Sequence, residues 1–156
     1  MVRVYLYLGD FMETPIKEKI TLEDGSEYEG DLLNGIPHGK GKQTFPNDDV
    51  YEGEIVNGKP HGKGKKTWFD GSVYEGDWDN GEYHGKGKFT DAYFGDIYEG
   101  DWANGVRHGK GKLISSNFVY EGDWANGECH GKGKKTYPDG KIEEGNWKNG
   151  KFKTRH

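Results

Sequence analysis

Apolar and polar positions alternate along most of this chain, and the alternation restarts on a fixed beat. In the segment from Tyr74, residues Tyr74, Gly76 and Trp78 fall on one face, and Glu75 and Asp77 on the other. Period two is the signature of a strand with two different faces. The string YEGDW, or a close variant, begins at Tyr28, Tyr51, Tyr74, Tyr98 and Tyr120, with a degenerate copy at Glu143. Successive starts are 23, 23, 24, 22 and 23 residues apart. Ten residues after each of the first five comes HGKGK, at His38, His61, His84, His108 and His130. A fixed period of this length predicts a repeat array in which each small unit stacks on its neighbours.

Between the two strings stands Asn-Gly, in all six units (Asn34, Asn57, Asn80, Asn104, Asn126 and Asn149). Asn-Gly is the strongest short hairpin signal, because a type I′ turn needs two residues with positive φ. Closing that turn at Asn80-Gly81 predicts the pairs Trp78 with Tyr83, Asp77 with His84, Gly76 with Gly85, Glu75 with Lys86 and Tyr74 with Gly87. In the next unit, Asp101 then faces His108. One face receives aromatics over glycines, and the other receives carboxylates opposite Lys and His. Between units, placing Gly133 opposite Gly145 leaves a three-residue loop, Pro138-Asp139-Gly140. Its counterparts are Pro46-Asn47-Asp48 and Phe69-Asp70-Gly71, with four residues at Ala92–Gly95 and two at Ser116-Asn117. The variable spacing is thereby confined to loops. The fold predicted is all-β, an elongated single-layer twisted antiparallel meander of β-hairpins with about twelve strands. At ~4.8 Å per strand it runs 55–60 Å, and its twist should make a trough.

Composition sharpens this picture. Only 31% of residues are hydrophobic and mean hydropathy is −1.06, yet 14% are aromatic and the 27 glycines recur in register. A thin one-layer structure accounts for this better than disorder does. Net charge is −5, which argues against a nucleic-acid partner held by general attraction to phosphates. The single cysteine, Cys129, excludes an internal disulfide framework and suits a reducing compartment. No apolar run is long enough to span a membrane. The N-terminus reads as strand and not as a signal peptide.

These residues resemble the MORN repeat (membrane occupation and recognition nexus): a tyrosine, a glycine two on, an aromatic two further, then Asn-Gly and a GxG strand. The resemblance runs from Tyr28 to about Phe152. It divides a single domain, 1–156, into full repeats at 28–50, 51–73, 74–97, 98–119 and 120–142, with a partial one at 143–156. Residues 1–27 form a degenerate capping repeat, on the strength of Tyr7–Phe11 and Glu23-Asp24-Gly25. The resemblance implies a non-catalytic scaffold or adaptor, cytoplasmic and in places peripheral at membrane or cytoskeleton. It also implies a protein partner, often a helix, with anionic lipid or self-association through sheet ends or edges as alternatives. A regulatory module of a larger enzyme is a third expectation.

Two stripes carry these expectations. Tyr28, Tyr51, Tyr74, Tyr98 and Tyr120 join Trp78, Trp102, Trp124, Trp68 and Phe89 on the aromatic face. The rings can pack on one another as the core of the array. A single sheet has no second layer, though, so part of this face should stay exposed and bind a partner. On the opposite face, Lys40, Lys63, Lys86, Lys110 and Lys132, with His61, His84 and His108, could contact anionic lipid. Acidic residues beside them make a solvated ion-pair face the simpler role. No cofactor or metal is expected. Neighbouring histidines stand two strands apart, roughly 9–10 Å, too far to share one zinc. The glycines match neither phosphate-binding fingerprint. No nucleophile recurs beside the Asp–His pairs, so catalysis has no foothold. Lys148, Lys151, Lys153 and Arg155 load the last strands with positive charge, which deters growth of the sheet edge.

Overall fold

The structure, a computed structural model, describes residues 17–154. The Tyr7–Phe11 stretch and Arg155 lie outside them. Thirteen strands form one antiparallel sheet in sequential order. The first is β1 (Lys17–Thr21), followed by β2 (Glu27–Leu33), β3 (Ile36–Thr44), β4 (Val50–Val56), β5 (Lys59–Thr67) and β6 (Val73–Asp79). Then come β7 (Glu82–Thr90), β8 (Ile97–Ala103), β9 (Val106–Ile114), β10 (Val119–Ala125), β11 (Glu128–Thr136), β12 (Ile142–Lys148) and β13 (Lys151–Lys153). Among the described residues there is no helix, hence none long and apolar enough to cross a membrane.

The turns form where the sequence places them. All six Asn residues of the Asn-Gly pairs have φ between +49° and +52°, each followed by a glycine of positive φ, as a type I′ turn requires. The inter-unit connections also follow the expected lengths. Gly133 pairs with Gly145, and the four-residue and two-residue loops fall at Ala92–Gly95 and Ser116-Asn117. The loop at Glu23–Gly25 joins β1 to β2 in the same manner.

Inside the five hairpins from β2–β3 to β10–β11 the register differs from the sequence expectation by two residues, whereas β12–β13 pairs regularly, Asn146 with Lys153. Trp78 does face Tyr83, but Gly76 then faces Gly87, Glu75 faces Lys88 and Tyr74 faces Phe89. The expected pairs Asp77–His84, Gly76–Gly85, Glu75–Lys86 and Tyr74–Gly87 are therefore not formed, nor is Asp101–His108. The cause is an irregularity in which Asp77 alone spans His84, Gly85 and Lys86. Gly85 turns out of the strand at φ +60°, a conformation that costs glycine little. The Asp77 Oδ2 accepts the Lys86 N–H at 2.9 Å, giving the interrupted ladder a new acceptor. The same bond recurs at Asp31, Glu54, Asp101 and Asp123. A shift of two preserves parity, so the aromatic and charged faces stay as sorted.

The core lies on the aromatic face. Each repeat tyrosine lays its ring over the second glycine of the GxG pair in the next strand, Tyr74 over Gly87 for example, and donates its hydroxyl to a backbone carbonyl in the bulge. Tyr74 bonds Asp77 O at 2.8 Å, and Tyr28, Tyr51, Tyr98 and Tyr120 do likewise with Asp31, Glu54, Asp101 and Asp123. Tryptophans tie units together. The Nε1 of Trp78, Trp102, Trp124 and Trp147 donates at 3.0 Å to the carbonyl of Gly64, Gly87, Gly111 and Gly133 in the preceding repeat. Edge-on ring contacts follow the same route. Tyr98, for example, stands 4.9 Å from Trp102 and 5.1 Å from Trp124. Such pairs contribute about 0.5–1.5 kcal/mol beyond their buried area.

Candidate functional site

Most of the aromatic stripe is consumed by this core. Tyr28, Tyr51, Tyr74, Tyr98 and Tyr120 are 0–2% exposed, and Trp78, Trp102 and Trp124 are 4–8% exposed. Their polar atoms are bonded inside the sheet. Burial first, and then the Asp31 carboxylate, pushes the Tyr28 hydroxyl up to about 12, and burial raises the other four as well. These hydroxyls stay protonated and keep donating. Of the residues proposed from sequence, Trp68 and Phe89 alone on this face are only half-buried.

What remains open is decided by the residue that follows GKGK in each unit: Gln43, Lys66, Phe89, Leu113 and Lys135. The two lysines fold back over neighbouring rings. Lys66 Nζ stands 5.3 Å from the Phe45 centroid and 5.2 Å from that of Trp68. Lys135 Nζ stands 4.0 Å from Phe118 and 5.3 Å from Trp147. Each cation closes its stretch of the face. Between them, where Phe89 and Leu113 stand instead, a groove of about 610 Å³ opens. Its floor is Trp68, Tyr83, Phe89 and Leu113, over the buried Tyr98 and Trp102. Arg107, stacked 4.7 Å over Trp124, forms the wall nearer the Asn-Gly turns, and Asp70, Ser72, Asp91 and Asp96 form the wall at the loops. Tyr83, Leu113 and Arg107 were absent from the sequence-derived set. The signal for them was the residue type at these two repeat positions.

The opposite face is a charge ladder. Register places Lys19, Glu29, Lys42, Glu52, Lys65, Glu75, Lys88, Glu99, Lys112, Glu121, Lys134 and Glu144 in one row, alternating in sign across β1 to β12. Beside it, Lys63, Lys86 and Lys110 form ion pairs with Asp77, Asp101 and Asp123 of the following strand. Lys40 faces Glu54, whereas Lys132 faces Asn146. His61, His84 and His108 are exposed. The Nδ1 of His61 accepts the Asn80 N–H at 3.2 Å and lies 3.4 Å from Asp79 Oδ1. A nitrogen that accepts cannot also donate to the carboxylate, so this contact is no ion pair while the ring is neutral.

The ladder makes stability depend on acid. Burial alone would raise the Asp77 and Asp101 carboxyls, but the paired lysine and the bulge N–H outweigh it and hold both below the ordinary 3.8. For Asp123 the Lys110 ammonium is the largest cause of the same lowering. Depressed carboxylates stabilise the fold fully above the unfolded-state value, and lose that contribution as pH falls through the folded-state one. The thermal midpoint is therefore expected to hold steady from pH 7 to about 5 and to fall below about 4. Replacing Asp77, Asp101 and Asp123 together by Asn should flatten the fall in circular-dichroism melts. An unchanged acid limb would show that these pairs contribute nothing.

An open sheet built from successive hairpins, with one ring-packed face and one charge-laddered face, defines a single-layer β-repeat array. The MORN repeat profile matches residues 28–50, 51–73, 74–92, 98–118, 120–142 and 144–153, and the chain belongs to the MORN repeat family. A comparison with curated proteins gives no match. One solved structure similar to this chain is the SAS-4 (dCPAP) TCP domain in complex with a proline-rich motif of Ana2 (dSTIL) from Drosophila melanogaster. It shares 15% identity at a TM-score of 0.35, over 90% of this chain and 99% of that one. At that TM-score the likeness carries no weight for partner or function.

Proposed function

We propose that the chain is a non-catalytic scaffold that binds a segment of a partner protein in the groove floored by Trp68, Tyr83, Phe89 and Leu113. The observation that supports this is the groove that opens at Phe89 and Leu113, where other units place Lys66 and Lys135 over their neighbouring rings. From β5 to β9 the stretch spans four strand spacings, about 19 Å. At 1.5 Å per residue that accommodates about 13 helical residues, an amphipathic helix of three to four turns.

The array supplies its own test. Lys66 and Lys135 occupy the position of Phe89 in other repeats, opposite the same tyrosine column. Phe89→Lys should therefore fold and close the groove as those lysines close theirs. Peptides selected by display on the wild-type chain are expected to bind the Phe89→Lys, Leu113→Lys variant at least about tenfold more weakly, a loss of about 1.4 kcal/mol. Undiminished binding to a folded variant sinks the groove reading.

A second reading, anionic lipid, is favoured at one place. Lys132 faces Asn146 where earlier units have an acid, and Lys148, Lys151 and Lys153 follow on β12 and β13. Binding restricted to anionic vesicles and lost in salt would favour it over the groove.

A further inference from the structure

The two walls of the groove differ, and that difference bears on which segment it takes. The wall at the loops is formed by Asp70, Ser72, Asp91 and Asp96, in and at the ends of the connections 69–71 and 92–95. They are held together by the Ala92 N–H donating to Ser72 Oγ at 3.0 Å. Segments 69–72 and 91–96 carry Asp70, Asp91 and Asp96 and no Lys, Arg or His. The same loops hold three of the most exposed rings on the described residues: Phe69 at 74%, Tyr93 at 84% and Phe94 at 70%. Tyr93 and Phe94 support each other edge-on at 4.7 Å. In addition, the Asp91 carboxylate caps the Tyr93 and Phe94 N–H groups at 2.7 and 2.9 Å, so this four-residue loop is a shaped turn. It is also the loop that the 24-residue spacing lengthens. The wall nearer the Asn-Gly turns has the opposite sign, in Arg107.

Resting on the groove reading above, we infer that the loop wall selects a cationic flank. The occupant is an amphipathic segment of another protein whose apolar stripe lies on Phe89 and Leu113, with Lys or Arg along the side that faces the loops. Carboxylates and exposed ring faces both attract a cation, the first by charge and the second through the ring quadrupole. The heads of Lys and Arg can reach Asp70, Asp91 and Asp96, and Phe69, Tyr93 and Phe94, which stand outside the groove's lining in the same loops, offer their long stems apolar surface beyond it. An acidic flank at this wall would meet like charge. That repulsion discriminates against the wrong segment as effectively as attraction favours the right one.

The probes are two helix-forming peptides of about 14 residues with one shared apolar stripe, flanked by Lys and Arg in the first and by Glu in the second. Each is titrated into the full chain and followed by fluorescence anisotropy at low and moderate salt. The cationic peptide is expected to bind at least about tenfold tighter, with the gap narrowing in salt. Asp70 and Asp91 cap backbone groups in their turns, so Asp96→Lys is the cleaner variant. It should lower cationic-peptide affinity several-fold without moving the thermal midpoint, and Phe94→Ala should do the same.

If both peptides bind equally, or the acidic one binds better, and both are lost in Phe89→Lys, the groove stands and the cationic flank falls. If neither peptide binds, both readings fall. Light scattering that shows a dimer dissolved by Phe89→Lys would make a second copy the occupant and overturn the inference.

Discussion

Gly87→Ala is expected to cost about 3 kcal/mol or more, from overpacking together with a lost hydrogen bond, although it adds only one methyl group. A Cβ at position 87 would overlap the hydroxyl end of the Tyr74 side chain, at its Oη, Cζ and Cε2. The ring is fully buried and has no open space to enter. Its hydroxyl is fixed to Asp77 O, so moving the ring breaks that bond too. Against the 5–15 kcal/mol by which domains are usually stable, this is a large fraction. Because each repeat touches mainly its neighbours, the damage should be local. Hydrogen exchange is expected to accelerate across β6 to β8 before the outer strands, and urea unfolding to begin earlier. Wild-type exchange and an unchanged urea midpoint would refute the tight fit of tyrosine over glycine.

Trp102→Ala is expected to cost about 3–5 kcal/mol, the usual range for emptying a large aromatic site. The indole touches two repeats at once. It stands 4.9 Å from Tyr98 of its own unit, and 5.4 and 5.2 Å from Tyr74 and Tyr83 of the preceding one. Its Nε1 bond to Gly87 O links the units across the ladder. The chain contains a milder version of the same change, since Ile55 fills this position in the second full repeat and is 1% exposed. Trp102→Ile should accordingly retain more stability than Trp102→Ala, by keeping volume while losing the bond. Equal melting of the two variants would mean that volume at this site does not matter.

Much of this architecture was legible because the sequence repeats it. Asn-Gly at six places marked the turns, and the 24- and 22-residue spacings located the longer and shorter loops. The register inside the hairpin was not legible from turn geometry alone. Counting outward from Asn80-Gly81 assumes a regular ladder, whereas β6 has seven residues and β7 has nine. The excess is taken up opposite Asp77. A cue was present: Gly133 pairs with Gly145 across the inter-unit ladder, so the equivalent Gly87 should pair with a glycine on both sides. It does so, with Gly76 and Gly100.

The candidate site was half legible. Trp68 and Phe89 were on the expected face, but sequence did not separate them from the tyrosines and the other tryptophans, for which packing as the core of the array was also expected. Their burial depends on mutual ring packing, and one sequence gives no measure of that. Differences between repeats were more informative than their likeness. The groove exists because Phe89 and Leu113 stand where other units carry Lys or Gln.

The alternating row from Lys19 to Glu144 also bears on how such an array can change length. Its sign pattern has the period of two strands. Insertion or deletion of one whole hairpin leaves every lysine between glutamates, and the net charge of the row unchanged. Gain or loss of a single strand would set two like charges side by side at the junction. Electrostatics thus makes the two-strand hairpin the smallest heritable increment of this sheet. Duplication in steps of about 23 residues is the route by which it can lengthen without being redesigned.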